Sequence, residues 1–286
     1  MPYGYSFYDF IDENPYWSLA VAIGGWIVFY FLLYFWVISG QFETVNPVIL
    51  YAIPAYFIAI GSGAVGQNLY EFLFYTAQGV SITRRQFAEG FVGFAIGGAI
   101  IAIMYFIGPL VAASINGLTG LSLSIKGATL AVAVDPVPLT ITQFMGVTSF
   151  VQIVTSYAFL LFLVVAIAEE FLVLVTYKLI AHFFASRGVS ILMTILLSIF
   201  IAGVLWGAAH IPAYSQEGVN VLGGVFVAVI VGTLAFRLMS EFIFGDMNIV
   251  FMVSSHFAYD FLLTSIIVPL SFVAVHCTGT LTCYGL

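Results

Sequence analysis

The sequence predicts an all-α protein, a polytopic transmembrane helix bundle of about seven spans with room for an eighth. Three observations predict it. Hydrophobic residues make up 63% of the 286 positions and charged residues only 7%, whereas soluble domains average about 25% charged. Mean hydropathy is +1.15. Apolar runs of about 20 residues recur along almost the whole chain, the length a helix needs to cross a bilayer. A membrane barrel would instead show alternating segments of about ten residues, and none is evident.

The spans follow in order. Met1–Tyr16 is aromatic and acidic where a signal peptide would carry positive charge, and its Tyr and Phe suit the membrane interface. The first span is Trp17–Ser39 and the second about Pro47–Gly66. A more polar stretch, Gln67–Glu89, carries Arg84 and Arg85. The third span is about Phe91–Ser114, whose Gly93 and Gly97 offer small residues for close helix packing. Ile115–Gly146, with Pro136 and Pro138, is the longest piece expected not to span. Val147–Tyr177 forms the fourth span, with helix continuing towards Ala185. Val189–Ile211, Val219–Leu238 and Ile249–Val273 complete the set. No repeat or linker divides the chain, so residues 1–286 form a single integral-membrane domain.

Charge orients the bundle. An N-terminus in the cytoplasm places Arg84, Arg85, Lys178, Arg187 and Arg237 inside and only Lys126 outside, as the positive-inside rule favours. Arg237 then ends a helix at the cytoplasmic surface. The tail falls outside, where Cys277 and Cys283 either pair as a disulfide or remain thiols. Six Lys and Arg in a chain of net charge −7 argue against nucleic-acid binding.

Five ionisable residues interrupt the apolar spans: Glu169, Glu170, His210, His256 and Asp260. A charged group at mid-bilayer costs about 2.5–3.5 kcal/mol on insertion scales, so such groups face the interior and pair. Glu169 and His210 each stand about 25–30 Å from the turn near Ser186–Ser190, and His256 about 15 Å from the turn near Asp246. His256 and Asp260 share a helix face. A carboxylate there can accept one ring N–H and leave the other nitrogen to act. His210 sits one turn beyond Trp206, with Pro212 ending the helix. Two chemistries fit. His210, His256 and Glu169 can hold a divalent metal such as zinc, or a buried Glu can activate water while the histidines hold a substrate carbonyl. HExxH and GxSxG are absent. His182, in an interfacial segment, and His276, in the tail, are read as having no part in the site.

These motifs, EEFLVL at Glu169, WGAAH ending at His210 and HFAYD from His256 to Asp260, resemble the CPBP family of intramembrane proteases (CAAX protease and bacteriocin processing, Abi). The resemblance covers about Ala166–Phe261, within a catalytic core of about residues 147–273. It implies that Glu169 activates the hydrolytic water with support from Glu170. It further implies that His210 and His256 bind the water, a metal or the oxyanion, and that Asp260 supports His256. The implied substrate is a peptide or lipidated protein, met in membrane lipid. Two positions depart from the family pattern: Trp206 stands where Phe is usual, and Leu174 where Arg is usual. The missing Arg leaves Glu170 without its neighbouring cation. That keeps open a silent subunit working with other membrane subunits, and a proton-coupled transporter is the third reading.

Overall fold

In the computed structural model, residues 14–38, 84–122, 157–211, 215, 220–245 and 247–262 are described. Every regular element among them is helical. We number the helices α1 (Pro15–Ile38), α2 (Arg84–Thr119), α3 (Tyr157–Ser186), α4 (Ile191–Ala209), α5 (Val221–Ile230), α6 (Met239–Phe244) and α7 (Ile249–Leu262). A π-helical segment, Val231–Leu238, joins α5 to α6. Backbone groups in lipid find no water, so each apolar run satisfies its own N–H and C=O as a helix.

Among the described residues, four helical stretches are long and apolar enough to cross a membrane: Pro15–Leu32, Arg84–Met104, Ile191–Ala209 and Val221–Phe244. This is compatible with an integral membrane protein. The expected second span, Lys126, residues 147–156, Pro212, Asp246, the far half of the seventh span, His276 and both cysteines lie outside the described residues. Two boundaries differ from expectation. The third helix starts at Arg84, not Phe91, because Arg85 bonds Glu89 one turn on, Nε to Oε1 at 2.7 Å. It also runs on through Thr119, into the piece expected not to span.

Helix α3 is the centre. α1, α4 and α7 all pack on it, and Phe162, Val165, Ala166, Leu172, Val173 and Val175 are fully buried. Between apolar helices in lipid, contact strength comes from close packing and hydrogen bonds rather than from expelled water. α1 uses both. Trp26 donates its indole N–H to Thr176 Oγ1 at 2.9 Å, and Tyr30 donates to the Leu205 carbonyl at 2.6 Å. Its other face, with Ile27, Phe31 and Phe35, is exposed as a lipid-facing surface would be.

α2 holds α7 by contact with its backbone. A Cβ on Gly93 would overlap the Phe251 carbonyl, and one on Gly97 the Ser255 carbonyl. Only glycine allows that approach, so the small residues seen in the sequence fix where α7 lies. The start of α7 is set independently. Asn248 Oδ1 accepts from Phe251 N at 3.0 Å, and Asn248 N donates to Ser240 Oγ at 2.7 Å. Gly188, at φ 72°, turns α3 into α4, with its N–H on the Ala185 carbonyl at 3.0 Å.

Candidate active site

Adjacent residues on a helix project about 100° apart, so Glu169 and Glu170 on α3 reach different neighbours. Both are fully buried. Glu169 points to α4, where Trp206 Nε1–H donates to its Oε2 at 2.6 Å. Glu170 points to the π segment and to α7. Arg237 Nη2 lies 3.0 Å from Glu170 Oε1 and 3.2 Å from Oε2, and His256 Nδ1 lies 2.8 Å from Oε1.

His256 is the hub. Its Nε2 is 3.2 Å from Asp260 Oδ2 and 3.6 Å from Glu169 Oε2. Phe236 stacks on the ring at 5.1 Å, and Trp206 meets it edge-on at 5.4 Å. The expected His256–Asp260 pair is therefore present, but the second ring nitrogen is engaged by Glu170. The imidazole sits among three carboxylates, fixed in plane and tilt.

Charge counting constrains the cluster. Glu169, Glu170 and Asp260 oppose Arg237 and His256, so full ionisation leaves one negative charge uncompensated in a buried site. Neutrality requires one shared proton in the carboxyl–imidazole set, and interacting sites of this kind titrate as a unit. Glu169 Oε1 has no hydrogen-bond partner among the described residues. It is a buried acceptor beside an oxygen already held by Trp206.

His210 ends α4. Its Nδ1 lies 2.9 Å from the Trp206 carbonyl, and a carbonyl only accepts, so Nδ1 carries the proton. In the neutral ring the lone pair is then on Nε2. The ring lies 4.7 Å from that of Trp206, edge to face. Of the five residues expected at the site, Glu169, Glu170, His256 and Asp260 meet directly, and His210 joins through Trp206.

Arg237 corrects the sequence reading. It was expected at a cytoplasmic surface, yet its side chain is wholly buried. Besides Glu170 it bonds the Gly232 carbonyl through Nη1, and its Cζ lies 5.2 Å from the Trp206 ring centre. A signal for it exists in the sequence: GTLAFRLM is apolar on both sides of the charge, unlike a helix end. Leu174, where the resemblance implied an Arg, is packed with Ile199, Met247, Phe251 and Met252.

Among the described residues no group of three or more His, Cys, Asp or Glu is arranged to hold a metal ion. The His256 nitrogens face carboxylates, and His210 Nδ1 faces a carbonyl. The donor arrangement is that of an ion-pair network.

No protein-family model, curated protein or solved structure matches the chain.

Proposed function

We propose that this protein is an intramembrane endopeptidase of the CPBP type, hydrolysing a peptide bond within or beside the membrane. One observation carries the reading: Glu169, Glu170, His256 and Asp260 converge in one buried cluster, and Glu169 keeps an unpartnered oxygen. A buried carboxylate network is costly in lipid and is kept where it acts.

In this reading a water donates to Glu169 Oε1. The water oxygen attacks the scissile carbonyl carbon as its proton passes to Glu169. The oxyanion that forms is stabilised by the protonated imidazole of His256, itself held by Glu170 and Asp260. Glu169 then returns the proton to the leaving nitrogen, the C–N bond breaks, and the new carboxylic acid passes its proton to the new amine, leaving a carboxylate and an ammonium. His210 orients the water from the α4 side, its Nε2 lone pair accepting the second water proton. The substrate is a membrane-embedded or lipidated peptide.

Seven spans with a cytoplasmic N-terminus belong to the same proposal. With Arg237 buried, four of the five remaining cations still favour that orientation. The countercharge on Glu170 also removes the main reason to read the chain as a silent subunit.

The test is hydrolysis by the protein reconstituted in lipid vesicles, with a library of transmembrane and prenylated peptides. Reaction in ¹⁸O water should leave one ¹⁸O in each new C-terminal carboxyl. Absence of any cleavage by folded protein across the library would remove the proposal.

A further inference from the structure

We propose that Arg237 is the positioning cation of Glu170, carried on the π segment instead of on α3 at position 174. The inference rests on the endopeptidase reading. Position 174 is one turn from Glu170 on the same face of α3, where a cation could reach the carboxylate without leaving its helix. Leu174 there is 4% exposed and belongs to an apolar cluster. The charge comes from the other side of the site.

Three features deliver it. The π-helical stretch, Val231–Leu238, changes the helical phase within an otherwise α-helical span, as π-bulges at functional sites do. Gly232 leaves room, since a Cβ there would lie 2.6 Å from both Arg237 Nη1 and the Trp206 ring. The guanidinium is then held on two sides. Nη1 donates to the Gly232 carbonyl, and Nη2 bridges both oxygens of Glu170 at 3.0 and 3.2 Å.

The consequence reaches the reacting groups. Arg237 aims the Glu170 carboxylate so that Oε1 accepts from His256 Nδ1–H at 2.8 Å, which turns Nε2 towards Glu169 and Asp260. Arg237 does not touch the water or the substrate in this scheme. It acts through Glu170 on the imidazole.

The experiment is steady-state kinetics of reconstituted Arg237→Lys, Arg237→Met and Arg237→Met/Leu174→Arg, each checked for monodispersity and thermal midpoint. Arg237→Met should lower kcat about 100-fold, the scale of a misplaced reacting group, with KM unchanged. Arg237→Lys should keep most of the activity, and the double variant should recover about tenfold over Arg237→Met, because Arg at 174 restores the charge from α3. A purely structural Arg237 would show no such rescue. Wild-type kcat in folded Arg237→Met, or equal losses in the Lys and Met variants, would overturn the proposal.

Where Arg237→Met does not fold, a kinetic cycle between Arg237→Lys and Glu170→Gln decides. Coupled effects support the proposal, and independent ones overturn it. Full activity in Glu169→Gln would remove the enzyme mechanism and this proposal together. Loss in Glu169→Gln with full kcat in Arg237→Met would remove this proposal alone.

Discussion

Trp206 carries more of the site than any other apolar residue. It donates to Glu169 Oε2 at 2.6 Å, its carbonyl holds His210, and its ring meets His256 and Arg237. Trp206→Phe keeps an aromatic body and loses the donor. A hydrogen bond to a charged group is worth about 1.5–3 kcal/mol, so kcat should fall by about 10- to 100-fold while KM holds. Unchanged kcat would show that Glu169 is placed by other means. At this scale the sequence is readable where polarity contrasts with its surroundings. Glu169, Glu170, His256 and Asp260 stand out because a charge in an apolar run has few structural uses. Arg237 was misplaced because its nearness to a span end reads as an interfacial anchor, and linear order does not show the pairing of residues 67 positions apart. Trp206 was seen as a departure from the family pattern, but its N–H donor role depends on which face α4 turns to α3.

Helix positions matter as much as side chains, because α3 and α7 bring the carboxylates and the imidazole together from distant parts of the chain. α7 is located by α2 through Gly93 and Gly97, and by the Asn248 cap. Gly97→Ala inserts a methyl group against the Ser255 carbonyl and the Ala258 side chain. Overpacking of this kind costs about 1–3 kcal/mol. The variant should lose both thermal midpoint and activity, because α7 carries His256. Gly24→Ala on α1 is the control: nothing lies within 4 Å of its added Cβ, and the higher helix propensity of Ala should leave the midpoint equal or slightly raised. A thermal melt in detergent distinguishes the two, and equal midpoints would contradict the account of how α7 is held. The helices themselves were legible from length and apolarity. The π segment was not, because a phase change over eight residues leaves no trace in composition.

At the scale of the molecule, the described residues form an all-helical bundle with exposed aromatic surfaces on α1 and α2 and a polar centre. The fold class was legible because apolar runs of about 20 residues satisfy their backbone in lipid as helices, and the alternating segments of a barrel are not evident. Of the seven expected spans, the second lies outside the described residues, among which four stretches meet the length and hydropathy for crossing. The proposed orientation rests on the cations outside the core. A single cysteine introduced at Gly188, in the turn between α3 and α4, should react with an impermeant thiol reagent only from the cytoplasmic side, in a background with Cys277 and Cys283 replaced. Labelling from the opposite side would reverse the proposed topology while leaving the site intact.

In the proposed mechanism Glu169 activates water for peptide-bond hydrolysis in the membrane. Glu169→Gln retains size and the acceptor oxygen for Trp206 but cannot take a proton. In vesicles containing a peptide cleaved by the wild type, this variant should lose about 10²- to 10⁴-fold in kcat, the usual contribution of a general base, with substrate binding preserved. Cleavage by Glu169→Gln at the wild-type rate would contradict the account.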